Sequence, residues 1–433
     1  MLPLSFAPRA ALFLLPLARL ATPVVADGDG TLRALEAPGE AYRSPLAGEG
    51  FYTRVFGRDV TVEPRDRRRV SAWDAGLVSI VPRVGDVNTF PFASLYLWRR
   101  PDEDTLLRVV TIGLYNDIYY AKSTESLGPF EGILTLNSFT SPAAQAESLE
   151  GEQIDDEELY WGNIRPGVGL GYRKSLEWPG HQDNMFALSL IGEPGFLYFD
   201  SAHETSPAYI EPQDTFEGRL RLLARLDLLE RNLLELPHRG LATGGELGHG
   251  YRADWDDWGI HGRESGNDPD YVYVTGYIVG SCQVPFLGND RHHLVGSFHG
   301  GVGDGLDRFS GLRIGGGPTG EDYEAISRAT IPGATLDEFQ TERYAVAIAE
   351  YRWEPIFFTF LSVRASVAHV DRERLRDGGI ERQDDVLTSI GCRITTGFVF
   401  STRLQLDYNY QTGVLRDGDH GGHEVVLHLS GNL

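Results

Sequence analysis

The run from Phe398 to Gln411, FVFSTRLQLDYNYQ, decides how the rest of the chain is read. Phe398, Phe400, Leu404, Leu406, Tyr408 and Tyr410 share one parity, and Ser401, Arg403, Gln405, Asp407, Asn409 and Gln411 share the other. Successive side chains of a strand point to opposite faces, so this is a strand with one face fit for hydrocarbon and one fit for water or a polar network. Phe216 to Glu230 repeats the pattern, with Leu220, Leu222, Ala224, Leu226 and Leu228 opposed to Arg219, Arg221, Arg225 and Asp227. Leu and Arg are also good helix formers, but strict alternation selects the strand. Gly162 to Arg173 places Asn163 and Arg165 on a polar face, and Phe357 to Asp371 turns Ser362, Arg364 and Ser366 inward.

A sandwich of two sheets would alternate in the same way, so three further features carry the choice of a membrane barrel. Several strands run longer than the usual strand of a globular protein, as a tilted membrane span requires. Their apolar faces carry aromatics toward the ends, Phe398 and Tyr410 on one strand, as interfacial girdles do. The connections also alternate. Ser141 to Leu159, Ser201 to Thr215, Trp255 to Asp270, Asp304 to Thr341, Arg372 to Asp384 and Gly413 to Gly422 are long or charged, whereas Glu354-Pro355 and Gly397 are short. Strands are expected from about Phe51 onward, with 51–64 as the first and 105–121 as a single strand, to a total of about 16, an even number as a bacterial barrel requires. The expected fold is therefore all-β, a transmembrane antiparallel barrel of about 16 strands.

The bulk numbers agree. Gly 51, Tyr 19 and Phe 21 against Met 2 favour strands and tight turns. A formal charge of −23 excludes nucleic acid as a partner, because phosphates need Lys and Arg to neutralise them. Arg9, the apolar run from Ala10 to Val25 and small residues at Val24-Val25-Ala26 read as a secretory signal peptide over 1–26. Beyond it there is no run of roughly eighteen apolar residues, hence no transmembrane helix. Cys282 and Cys392 keep phase with apolar neighbours and are expected to stay unbridged.

Acids crowd the long connections, Glu150 to Glu158 and Asp254 to Asp270, but such runs are normally solvated loop surface, and no metal or other cofactor is expected. The chain has no Gly-x-Ser-x-Gly elbow and no His-Glu-x-x-His, and its histidines, among them His238, His249, His292, His293, His299 and His369, are scattered. No enzymatic activity is expected.

One stretch stands apart. A strand from His292 runs into GVGDGL at Gly301 to Leu306, with Gly301, Gly303, Asp304 and Gly305, and then into Phe309, Arg313, Gly315, Gly316, Gly317, Gly320 and Tyr323 before the strand Ala345 to Trp353. These residues resemble the C-terminal barrel of the BamA/TamA superfamily of bacterial surface antigens, in which a Gly-Asp-Gly turn leads into a loop bearing Phe-x-x-Gly-Gly and then Arg-Gly-Phe/Tyr. The resemblance implies that the glycine-rich loop between strands 11 and 12 folds into the lumen, that the protein lies in an outer membrane, and that its partners are membrane lipid, unfolded outer-membrane or secreted polypeptides and a separate periplasmic subunit. In that family the loop arginine pairs with an acid on the wall. Here that position reads Thr319, so Arg313 or Arg328 is the expected substitute, and Glu350, Arg364, Arg403 and Asp407 are the candidate wall residues.

Two further departures bear on function. The stretch 27–50, expected as a short periplasmic segment before a barrel over 51–433, is too short for a polypeptide-transport-associated domain, and the chain ends in Leu433 where barrel chains often end in an aromatic. Two roles follow: a polypeptide insertase or transporter that works through a weak seam between first and last strands, and a pore or anchor of the same fold without transport partners. A barrel enzyme ranks behind both.

Overall fold

In the computed structural model the described residues are 23–25, 42–55, 58–64, 69–82, 87–112, 114–141, 145–149, 152–176, 185–260, 268–316, 325–334, 338–376, 379–397, 402–416 and 419–432. They form a closed antiparallel barrel of sixteen wall strands in sequential order. These are β1 (Arg69–Pro82), β2 (Asn88–Arg99), β3 (Thr105–Thr111), β4 (Tyr115–Ser123), β5 (Glu131–Thr140), β6 (Glu152–Ser175), β7 (Met185–Ser201) and β8 (Thr215–Asp227). The second half is β9 (Pro237–Arg252), β10 (Asp270–Gln283), β11 (His292–Asp304), β12 (Arg343–Ile356), β13 (Thr359–Arg376), β14 (Gly379–Gly397), β15 (Thr402–Arg416) and β16 (Asp419–Asn432). Closure comes from β16 against β1, paired continuously from Gly422↔Pro82 to Asn432↔Ala72.

The outer face is what alternation requires of a wall in lipid. Leu77, Leu134, Val168, Leu190, Leu220, Leu247, Val274, Leu294, Val363, Ile390, Leu406 and Leu427 are all exposed. Tyr160, Phe216 and Tyr251 stand exposed toward the long-loop end, and Tyr351 and Trp353 toward the short-turn end, as two girdles. Cys282 and Cys392 are free thiols on this face.

The strand count agrees with the sequence reading through two differences that cancel. Phe51–Val55 and Arg58–Val62 are not wall strands; they pair with each other and with Pro23–Val25 in a separate three-stranded sheet, so the wall begins at Arg69. The segment expected as one strand over 105–121 is instead the β3–β4 hairpin, with β3 ending at Thr111, β4 beginning at Tyr115 and Ile112 N donating to Tyr115 O at 2.9 Å. Alternation continues on both sides of so tight a turn, which hides it. Likewise 372–384 and 413–422, read as loops from their charge, are mostly strand: β13 and β14 stay paired to Arg376↔Gly379, and β15 and β16 to Arg416↔Asp419. Phe398 and Phe400 lie outside the described residues.

Inside, the barrel is packed, and not uniformly wet. Val70, Ala72, Tyr96, Trp98, Leu106, Val110, Ala121, Ile133, Met185 and Ile191, from β1 to β7, form one buried apolar cluster. The described part of the N-terminal segment closes the short-turn end. Ala47 N donates to Arg231 O at 3.0 Å, Leu233 N to Pro45 O at 3.0 Å, and Phe51 packs with Leu234, Leu236, Phe358 and Phe360. Tyr42 Oη donates to Glu354 Oε1 at 2.6 Å under the Arg291 guanidinium.

The outer face makes a direct prediction. Replacing Leu406, 40 % exposed and outward on β15, by Arg should cost about 2–4 kcal/mol of unfolding free energy in lipid vesicles if it lies at mid-plane. Denaturant titration against wild type measures it, and an unchanged midpoint would remove lipid from that face.

Candidate functional site

The candidate site is the connection between β11 and β12 together with the wall it touches. β11 carries Gly301 and Gly303 and ends in Asp304; Gly305 then turns the chain with a φ of +68°, and a Cβ there would run into the backbone of Asp270 and Tyr271. A short hairpin follows, Leu312–Ile314 paired with Phe339–Thr341. Gly316 lets the loop backbone close on Ala334 and on the Glu424 carboxylate, a gap no side chain would fit. Gly315 bridges to Thr330. Gly317, Gly320 and Tyr323 lie outside the described residues.

Two carboxylate-centred anchors tie this loop to inward wall residues, beside bonds from Arg308 Nη1 to Glu157 O and between His299 Nε2 and Ile326 O, each at 2.9 Å. The first is Asp307, whose carboxylate takes both terminal nitrogens of Arg252 on β9, Nη2 at 3.1 Å and Nη1 closer still. Arg252 has no exposed side-chain surface and also donates through Nε to Glu217 Oε1 at 3.3 Å. Glu217 in turn receives Arg165 Nε at 2.6 Å and Tyr271 Oη at 2.9 Å. Asp307 also caps its own turn, accepting from Phe309 N and Ser310 N. The second anchor is Glu424 on β16, which accepts Gly333 N at 2.9 Å and Asn409 Nδ2 at 2.6 Å. Around it Ile314, Ile331, Ala334 and Phe339 of the loop pack with Val346, Val370, Leu387 and Val414 of the wall.

The anticipated residues are placed as follows. Phe309 sits at the centre of an aromatic cluster at the long-loop end, 4.7 Å from Phe199, 5.4 Å from Trp161 and 5.1 Å from Trp258 by ring centroid. Arg313 lies over the Trp161 ring and donates to Arg308 O at 2.6 Å, within the long-loop end. Glu350 accepts from Arg352 Nε and Ser362 Oγ, each at 2.9 Å. Asp407 accepts two bonds of 2.7 Å from Arg393 and one of 3.3 Å from Arg364. Arg403 donates to Leu234 O at 3.1 Å, toward the short-turn end. Glu350, Arg364, Arg403 and Asp407 make these bonds to other wall residues and to the 228–236 connection, and Asp307 and Gly333 are among the loop's anchors. One charge pair between loop and wall has the acid on the loop, Asp307, and the arginine on the wall, Arg252. Asp307 and Arg252 were not singled out in the sequence, since 55 residues separate them and only the barrel curvature brings them together.

Below the loop the inner wall is cross-braced by charge. Glu193 holds Arg219 and Arg221 at 2.6 and 3.0 Å, Arg221 reaches Glu246 at 2.6 Å, and Asp227 holds Arg225 and Arg231 at 2.9 Å each. At the mouth, outside the spanning strands, Asp290 lies in the β10–β11 turn and accepts Ser44 N at 2.9 Å. Burial alone would raise its carboxyl, but the His238 and His293 imidazoles and the Ser44 N–H hold it well below the usual carboxylate range.

No protein-family model matches this chain, and no curated protein does. Among solved structures it is similar to CdiB from Acinetobacter baumannii, at 10% identity and a TM-score of 0.46, covering 90% of this chain and 64% of that one. It is also similar to BamA from Haemophilus ducreyi lacking POTRA domains 1–3, at 9% identity and a TM-score of 0.47, covering 95% of this chain and 76% of that one. The toluene transporter TodX of Pseudomonas putida is matched at a TM-score of 0.31 and 9% identity. The barrel assignment itself rests on the strand pairing.

Removing one partner of a buried charge pair leaves the other uncompensated. Arg252→Leu should cost about 3–5 kcal/mol and release the loop. Guanidinium unfolding and trypsin cleavage after Arg308, Arg313 and Arg328 read the two effects, and a loop that stays protected in the variant would show that Asp307 does not hold it.

Proposed function

We propose that the protein is an outer-membrane barrel of a Gram-negative-type bacterium that works as a gated passage, with the β11–β12 loop as its inner gate. An even-numbered, closed, antiparallel barrel with an apolar outer belt is the architecture such membranes hold. A sixteen-stranded wall is wide enough to enclose water unless something fills it. The observation that carries the reading is the loop's double attachment, Asp307 to Arg252 and Gly333 to Glu424, on well-separated parts of the wall. A loop tied to the wall at discrete polar points, with apolar packing beside them, can be released without breaking the strand ladders of the cylinder around it.

The second reading is polypeptide insertion or translocation, with unfolded outer-membrane or secreted chains as clients and a separate periplasmic subunit to deliver them. It is favoured by the glycine and Phe309 pattern of the loop and by the place of Gly316 against Glu424. It requires β1 and β16 to part, which means breaking a ladder paired from Gly422 to Asn432 and the buried bond from His428 Nε2 to Asp74 Oδ1 at 2.7 Å. No catalytic role belongs to either reading.

One set of measurements separates them. In planar bilayers the wild type should show low conductance, and deletion of residues 311–331 should open a large, stable pore. Equal conductance with and without the segment would overturn the gate. A disulfide between cysteines at Val425 and Ser79, which face each other across the seam, should leave the deletion pore intact. If the same crosslink abolishes client insertion in a depletion strain, the seam reading replaces the gate reading.

A further inference from the structure

We propose that His238, Asp290 and His293 form a site for a divalent first-row transition metal, Zn²⁺ by donor set, at the short-turn mouth of the barrel. His238 is the second residue of β9, His293 the second residue of β11, and Asp290 lies in the turn that leads into β11. β9 and β11 flank β10, so the wall sets the two imidazoles side by side, with ring centroids 4.3 Å apart. Both present Nε2 to the same carboxylate. His238 Nε2 is 3.2 Å from Asp290 Oδ2 and His293 Nε2 is 3.4 Å from Oδ1, and the three ligand atoms lie within 4.8 Å of one another.

Those separations are the relevant geometry. Zinc–nitrogen and zinc–oxygen bonds of about 2.0–2.1 Å in a tetrahedron place neighbouring donors roughly 3.3 Å apart. Two imidazoles and one carboxylate leave a fourth position open, a set that suits Zn²⁺ and its first-row neighbours. The second observation is an orphan. His293 is 4 % exposed, and its Nε2 has no aligned hydrogen-bond partner although it points into the cluster. A buried imidazole nitrogen met only by a long, misaligned carboxylate approach is costly, and a metal ion between the two would satisfy it. The surrounding charges permit a cation: of the guanidiniums facing the cluster, Arg352 is paired with Glu350 at 2.7 Å and Arg239 with Glu230 at 2.9 Å.

Partners behind the donors hold them in place, as outer-shell groups do in metal sites. Ser281 Oγ donates to His238 O at 2.8 Å, and Arg352 Nη1 donates to Pro237 O at 2.6 Å. Ser44 N donates to Asp290 Oδ2 at 2.9 Å, and Asp290 N donates to Tyr42 O at 3.3 Å. The last two bonds give the site a consequence. A metal ion fixing Asp290 would fix the turn on which residues 42–44 are seated, and so tie the N-terminal segment across the mouth to two wall strands. The site stands apart from the β11–β12 loop, so it can be tested whether or not that loop gates anything.

The test uses the full chain, purified without a polyhistidine tag, stripped with EDTA and re-exposed to Zn²⁺. Titration calorimetry with elemental analysis after gel filtration should give one tight Zn²⁺ per chain. His238→Gln and His293→Gln should each weaken it by about 100-fold, since even outer-shell changes weaken such sites 10- to 100-fold. Zinc-edge X-ray absorption on the wild type should show two imidazole nitrogens, which decides the matter even if a variant fails to fold. A shell of oxygens alone, or binding unchanged in both variants, would mean adventitious zinc on the acidic loops and would overturn the site.

Discussion

Everything in this structure depends on the closure of β16 onto β1. In a hydrocarbon environment an unpaired backbone N–H or C=O has no water to turn to, so a sheet survives only without edges. The eleven facing residues from Gly422↔Pro82 to Asn432↔Ala72 supply that closure, and Gly76 on β1 lets the backbones approach where a Cβ would meet Leu427 O. Closure fixes the second constraint. Sixteen tilted strands enclose a space too wide for side chains to fill by reaching inward, so the interior must be water, a ligand or the chain itself.

This chain uses itself. Apolar side chains from β1 to β7 fill one flank of the interior, the β11–β12 loop covers part of the other, and residues 42–51 close the mouth. Where strands carry charge inward, the charges are braced in runs: Asp307 with Arg252, Arg252 with Glu217, Glu217 with Arg165. Burying either sign alone would cost several kcal/mol per ion, so the net worth of such a run is small. Its value lies in selectivity of position. A loop that docks by an acid onto one buried arginine has one register in which both are satisfied.

The barrel was legible in the sequence because alternation reports which face is greasy, and Leu404, Leu406 and Tyr408 against Gln405, Asp407 and Asn409 report it without ambiguity. Alternation does not report what a strand pairs with. Phe51–Val55 and Arg58–Val62 are strands that lie outside the wall, while the reversal between Thr111 and Tyr115 is too short to show in the pattern. Charge misleads in the opposite direction. Arg372, Glu373 and Arg374 read as loop, yet β13 carries them in register with Gln383, Arg382 and Glu381, because strands that rise above the membrane need no hydrocarbon face. The lumen contacts were the least legible. A pair such as Arg252 and Asp307 is set by the stagger of strands around a cylinder, a quantity no local pattern records.

The Asp307–Arg252 pair shows that a loop acid on a wall arginine is enough to tie the loop. Threonine stands at position 319, the position that resemblance assigns to the loop arginine, and one attachment is made by Asp307, two residues after Gly305. The geometry that makes this work is upstream of the charge. Gly305 turns the chain with positive φ against Asp270, which brings Asp307 inward over β9 at the level where Arg252 ends its strand. Given that turn, an acid is the residue that completes the wall, because Arg252 has two guanidinium faces and Glu217 occupies only one. The glycines therefore set where the loop can be tied, and the ionic partner follows from what the wall has left unpaired at that height.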